Sequence, residues 1–254
     1  LAGAALAAAA WPLAARAAEL LPEASVHLKA ARYAPVETDL HWTGWIGAGA
    51  GLLRAGGATA YFTADAETIL GNTLRPFEAT QANYHLEVGA RRRFGAAEVA
   101  LALHHVSRHA VDRPKVQAVD WNMLLLRLSR GFSLAGRPAQ ARASVGRTTQ
   151  ASLPGYEWEL TARFEAELAG GEAARAYACL DARVVTIRDV TRPPATLPRG
   201  DFVDLGAEAG VRLRRGPRVL DLFAAFERRN DVFLEIPGRR DRALFGFRIA
   251  LSGG

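Results

Sequence analysis

The chain has 254 residues, half of them apolar, a net charge of +6 and a single cysteine, a composition that suits one large domain or two small ones and excludes a disulfide framework. Beyond the first residues no run approaches the eighteen or so consecutive apolar residues of a spanning helix, which excludes the helical membrane class. No zinc spacing, Gly-rich phosphate loop or nucleotide fingerprint occurs, and no basic patch with interleaved aromatics points to nucleic acid.

The chain opens on LAGAALAAAAWPLAARAAEL, a small and apolar run through Ala15-Arg16-Ala17-Ala18. It reads as a clipped secretory signal peptide over residues 1–18, with an Ala-rich amphipathic helix as the alternative. Residues 19–254 are expected to form one domain.

From there the dominant signal is alternation. Tyr84, Leu86, Val88 and Ala90 oppose His85, Glu87, Gly89 and Arg91; Ala97, Val99, Leu101 and Leu103 oppose Glu98, Ala100, Ala102 and His104. Tyr156, Trp158, Leu160, Ala162, Phe164, Ala166 and Leu168 face away from Glu157, Glu159, Thr161, Arg163, Glu165 and Glu167. The same two rows recur over 203–213 and 242–251. A period of two is a strand signal, not a helical one. The runs are about ten to thirteen residues long, against about five or six in ordinary sheets.

Turns alternate as well. Short connections carry Gly at Gly56, Gly95, Gly136, Gly170-Gly171 and Gly216, as tight hairpins favour. Longer ones, rich in Pro, Asn, Asp and Arg, fall around 67–81, 110–118, 149–154, 188–200 and 229–240. Twelve strands result, over 24–33, 40–53, 57–66, 82–93, 96–109, 119–131, 137–148, 155–168, 173–187, 201–214, 218–229 and 241–252. This pattern predicts an all-β, transmembrane antiparallel β-barrel of about twelve strands in the bacterial outer membrane, with short periplasmic turns and long external loops. A soluble β-sandwich or lipocalin-like barrel shares the alternation and would hide the apolar rows inside.

In the membrane orientation Trp158, Leu160 and Phe164 face lipid while Glu157, Glu159 and Arg163 face the lumen. Mixed charges, including Arg91, Arg93, Arg175, Asp181 and Arg183, are expected to interlock and fill that lumen, leaving little open channel. Cys179 falls on the inward row and carries no assigned chemistry. His27, His41, His85 and His104 are scattered singly, as lumen or rim residues. The arginine excess offers contacts to lipopolysaccharide phosphates at the external loops, although coding bias explains the same composition.

One outward row breaks the apolar rule. It continues from Leu101 and Leu103 into His105 and Ser107, and a second row, Leu124, Leu126 and Leu128, is headed by Asn122. Unpaired polar groups facing lipid are costly and call for a reason. Residues two apart on a strand lie about 6.5–7 Å apart at Cα, within reach of an imidazole and a hydroxyl. If the 110–118 hairpin is centred midway between His105 and Asn122, these two lie directly opposite each other, and a slip of one residue turns Asn122 to the other face. Under that register Ser107 is the candidate nucleophile, His105 the general base, Asn122 the group that fixes the tautomer, and Asp120 lies beside Ser107 as a cation ligand or rim charge. The other reading is a set of interfacial polar residues at the external rim, tolerated near headgroups, on a non-enzymatic barrel that acts as a small pore or envelope component.

His105-Val106-Ser107 and Trp121-Asn122, followed by Met123-Leu124-Leu125-Leu126-Arg127-Leu128, resemble the outer-membrane phospholipase A family, a twelve-stranded barrel that carries His-x-Ser and Trp-Asn on its lipid-facing exterior. The resemblance implies hydrolysis of membrane phospholipid acyl esters, dependence on calcium, and activation when two barrels pair as a homodimer. The family continues Ser-Asn-Gly where this chain has Ser107-Arg108-His109, so the implied oxyanion N–H comes from His109. A calcium-holding Ser of the family falls at Ala118, which leaves Asp120 and Asp112 as substitutes. The spacing of His105, Ser107, His109 and Asp112 is also similar to that of a bacterial outer-membrane family with no established activity, and the lipid A deacylase barrel shares the bare His-x-Ser.

Overall fold

The computed structural model describes residues 18–111, 119–153, 155–188, 200–230 and 239–253. Residues 1–17 of the expected signal segment, and Asp112 and Ala118, lie outside the described residues. Twelve strands are present among those described: β1 (Glu19–Glu37), β2 (Leu40–Ala55), β3 (Ala58–Gly71), β4 (Glu78–Phe94), β5 (Ala97–Ala110), β6 (Val119–Leu134), β7 (Arg137–Leu153), β8 (Tyr156–Gly170), β9 (Ala174–Ile187), β10 (Gly200–Arg215), β11 (Arg218–Arg229) and β12 (Arg240–Gly253). Each pairs antiparallel with its chain neighbours, and β1 pairs with β12 along Ala24–Ala34, so the sheet closes on itself. Closure removes the unpaired edges that an open sheet would present.

The apolar rows form the outer surface. Leu101, Leu103, Trp158, Leu160, Leu180, Leu222 and Phe245 all stand exposed there, while Glu87, Glu167, Arg212 and Asp221 are enclosed by the wall. Such an exterior is stable only against hydrocarbon, which decides for the transmembrane barrel over the soluble sandwich. Strands of 12 to 19 residues exceed what a tilted crossing needs, and they project beyond the bilayer. At the end carrying both strand termini the connections are tight. Gly95 and Gly216 adopt φ of 61° and 58°, the left-handed conformation such turns demand and L side chains resist.

Three features differ from the sequence reading. The 67–81 and 149–154 connections are shorter than expected, because β3 and β4 run to Gly71 and Glu78 and β7 to Leu153. Tyr156 leaves the outer row: a register shift between Tyr156 and Trp158 turns it inward, where its ring meets Trp121 edge-on at 5.0 Å. A bulge of this kind resets the parity of every residue beyond it. Lastly, the lumen is not solidly filled, but holds a cavity of about 640 Å³.

Around that cavity the charges are heavily cross-linked. Glu87 takes both guanidinium nitrogens of Arg127 at 2.8 Å and the Tyr61 hydroxyl at 2.6 Å. Arg212 forks onto Asp221 and reaches Glu165, Arg248 joins Glu208 to Asp221, and Arg183 joins Glu159 to Asp204. Cys179 is buried and donates to Asp181 at 3.4 Å. Among the described residues three inner apolar clusters complete the interior, and one of them, Val106, Trp121, Met123, Tyr156, Val185 and Phe202, lies directly behind the His-x-Ser and Trp-Asn segments.

Candidate functional site

β5 and β6 meet with His105 opposite Asn122 and Ser107 opposite Asp120, the register obtained by centring their connection midway. Ladder parity explains why the side chains meet. Gly131 N–H donates to Ala96 O and Val111 N–H to Thr80 O, so even residues of β5 bond to β6 and odd ones to β4. His105–Asn122 and Ser107–Asp120 are therefore non-hydrogen-bonded pairs, the kind whose side chains approach most closely.

His105 Nδ1 and Asn122 Oδ1 are 2.8 Å apart. An amide oxygen only accepts, so Nδ1 carries the proton and Nε2 is left with a free lone pair. Asn122 in turn donates through Nδ2 to Gln150 Oε1 at 3.4 Å, which orients the amide with its oxygen towards the imidazole. Gln150 was absent from the sequence reading for a physical reason. Pairing passes from Asn122–Gln150 to Met123–Thr148, so Thr149 is bulged out, and this extra residue moves Gln150 onto the exterior. Thr149 Oγ1 closes the bulge by donating to Asn122 O at 3.2 Å.

Ser107 stands two residues above His105 on the same face. Among the described residues it makes no hydrogen bond to the imidazole, and the distance between them is that of i, i+2 neighbours on a strand. Across β4 it faces Tyr84, whose ring meets the His109 imidazole edge-on at 5.6 Å. Asp120 accepts from Ser152 Oγ at 2.7 Å. Tyr84, His105, Ser107, His109, Asp120, Asn122, Gln150 and Ser152 thus form one polar band over four adjacent strands, above the apolar rows of Leu101, Leu103, Leu124 and Leu126. Val106, Trp121 and Met123 point the other way, each nearly fully buried, and pin the backbone that carries the band.

One expected role changes. By the same parity the His109 N–H is turned towards Ala82 of β4, so the group His109 offers to the exterior is its ring. Among the described residues no set of three or more His, Cys, Asp or Glu side chains is arranged to hold a metal ion. Asp120 with Ser152 nevertheless presents carboxylate and hydroxyl oxygens, the hard donors that calcium takes.

Three of the four scattered histidines, His27, His85 and His104, prove to share one luminal row. His27 on β1 reaches across β2 to Asp65 on β3 at 2.9 Å, and His85 lies between Trp45 (ring centroids 5.3 Å) and His104 (5.8 Å), with His104 on Glu87 at 3.2 Å. Gly47 makes the first contact possible: a Cβ there would lie 1.8 Å from Asp65 Oδ1 and 2.4 Å from His27 Cε1.

No protein-family model matches the sequence, and no curated protein sequence matches it. Solved structures do resemble it in fold. The Salmonella typhi outer membrane phospholipase, in a dimer with bound calcium, is similar with a TM-score of 0.53 and 12% identity, over 89% of this chain and 90% of that one. LpxR from Salmonella typhimurium is similar with a TM-score of 0.52 and 11% identity, over 89% of this chain and 99% of that one. CdiB from Acinetobacter baumannii gives a TM-score of 0.42 and 16% identity over 84% of this chain, which spans 42% of its length. With its closed twelve-stranded sheet and lipid-facing exterior, the chain is an outer-membrane β-barrel protein.

Proposed function

We propose that this barrel is a phospholipase A-like serine hydrolase that cleaves acyl esters of membrane phospholipids from its outer wall. The observation that carries the reading is the 2.8 Å hydrogen bond between His105 and Asn122, beside Ser107, where the polar band meets the apolar rows of Leu101, Leu103, Leu124 and Leu126 on the outer wall. Ser107 Oγ attacks the ester carbonyl carbon while His105 Nε2 takes the hydroxyl proton. The lysophospholipid oxygen leaves with that proton, an acyl-serine remains, and a water activated by His105 releases the fatty acid. The Ser107–His105 separation fits a site whose hydrogen bonds tighten only with substrate in place.

Asn122 holds the imidazolium and its tautomer without adding a second charge to a lipid-facing site, where a carboxylate would be costlier to desolvate. His109 would donate to the developing oxyanion through its ring. Asp120 and Ser152 would supply part of a calcium shell, with Asp112 a further candidate from the sequence alone, and a bound calcium would polarise the ester carbonyl. The phospholipase neighbour was solved as a dimer with calcium, which supports pairing of two barrels through their apolar walls as the active form. Lipopolysaccharide contacts would fall to the external arginines, such as Arg188 and Arg239.

The test is fatty-acid release from mixed micelles together with a fluorophosphonate label located by mass spectrometry. The parent should release fatty acid and take the label at Ser107, while Ser107→Ala and His105→Ala should each abolish turnover in barrels that still fold. Equal release by Ser107→Ala, or no release and no label across a range of cations, makes the non-enzymatic barrel the better account.

A further inference from the structure

The luminal cavity is bordered by a cluster that the hydrolase reading does not use. On three adjacent strands, Arg127 (β6), Arg142 and Ser144 (β7), and Thr161 and Arg163 (β8) all turn inward and line the same space. Arg142 lies directly opposite Arg163, and Arg127 lies opposite Ser144, diagonal to Arg142. Side chains so paired start about 5 Å apart at Cβ, or roughly 7–8 Å on the diagonal, and like charges in that arrangement repel.

Two of the three cations are answered. Arg127 is held bidentate by Glu87, and Arg163 is held by Asp181 at 3.0 Å and Glu165 at 3.3 Å. Arg142 makes no hydrogen bond or ion pair among the described residues, and its side chain is exposed to the cavity. The nearby carboxylates are committed, Glu87 to Arg127, Glu165 to Arg163 and Arg212, Asp181 to Arg163, and Glu98 to Arg93 at 3.2 Å. The rest of the patch donates too. Ser144 Oγ and Thr161 Oγ1 are 2.6 Å apart, and since one hydroxyl gives its hydrogen to the other, the second hydroxyl's hydrogen remains for the cavity.

We infer that Arg142, with the Ser144–Thr161 hydroxyl pair and the flanking Arg127 and Arg163, forms a luminal binding site for a small free oxyanion of the phosphate class. A planar guanidinium with all its N–H groups unclaimed matches two oxygens of such an anion at once. Arg127 and Arg163 are compensated by their own carboxylates, so among the patch's three guanidinium groups the uncompensated charge is that of Arg142. A lipid headgroup is an unsuitable occupant, because the closed wall separates this patch from the bilayer. The inference is independent of the chemistry proposed for the exterior.

The experiment is a titration of inorganic phosphate into the detergent-solubilised barrel at low chloride, followed by calorimetry and by phosphorus NMR line broadening. The parent should bind saturably at millimolar phosphate or below, Arg142→Gln at least tenfold more weakly, and Arg142→Lys in between. Arg130→Gln removes the same charge from the outer face of β6 and should bind as the parent does. Heat-modifiable migration on gels checks that each variant is folded. Saturable binding unchanged in Arg142→Gln, equal weakening in Arg130→Gln, or no saturable binding by the folded parent would each overturn the site.

Discussion

Truncation of Asn122 tests the exterior site most sharply, because the structure fixes both what is lost and what is kept. Asn122→Ala removes the acceptor of one neutral hydrogen bond, His105 Nδ1 to Oδ1 at 2.8 Å, and leaves Ser107, the imidazole and the buried supports Trp121 and Met123 in place. A neutral hydrogen bond contributes a net 1 ± 0.5 kcal/mol or so, which converts to a loss of about two- to thirteenfold in turnover. Gln150 touches the imidazole only through the Asn122 amide, at 3.4 Å. Gln150→Ala should therefore cost less than Asn122→Ala, and nothing further once Asn122 is already alanine. The assay is steady-state fatty-acid release from mixed micelles for the parent, both single variants and the double, with kcat and KM separated. A fall in kcat at constant KM is expected. Turnover unchanged in Asn122→Ala, or Gln150→Ala adding its full effect in the double variant, would refute the orienting chain from Gln150 through Asn122 to His105.

Gly47→Ala should drive a methyl into both His27 and Asp65 and destabilise the barrel by about 1–2 kcal/mol, read as a lower urea midpoint in vesicle-folded protein by tryptophan fluorescence; an unchanged midpoint would remove the argument from close approach. Glu87→Gln strands Arg127 and loosens Tyr61 and His104. Breaking a buried pair costs about 3–5 kcal/mol, but Arg127 faces the luminal cavity, so about 1–3 kcal/mol is expected in the same unfolding assay. Strong chelation should suppress ester hydrolysis and the pairing of barrels. Undiminished activity would remove calcium while leaving a cation-independent hydrolase.

Period-two alternation and glycine-marked turns sufficed to read the strand count and most of the hand-off between inner and outer rows, whereas the pairing of His105 with Asn122 held only on the condition that the 110–118 hairpin is centred between them, the register that β5 and β6 adopt. Those are local properties, or one step from local, since a single hairpin relates β5 to β6. Bulges escaped the reading because they change parity without any marker in composition. Tyr156 was assigned to lipid and lies inside, and Gln150 falls beside Asn122 only because Thr149 is extruded. The His27–Asp65 contact and the row running on through His85 to His104 escaped for another reason: it spans strands 1 to 5, so its members lie far apart in the chain. The cavity beside Arg142 depends on where every luminal arginine finds its acid, a matter of three-dimensional geometry.

The placement of the polar band on the outside of the wall also sets how substrate would arrive. A pocket inside a barrel fills from solution, so its occupancy follows bulk concentration. A site beside Leu103 and Leu124 is bathed by the bilayer itself, and meets phospholipid by lateral diffusion in two dimensions. The governing variable is then the mole fraction of phospholipid in the surrounding lamella or micelle, and an inert detergent would slow the reaction by surface dilution even while total phospholipid is held constant.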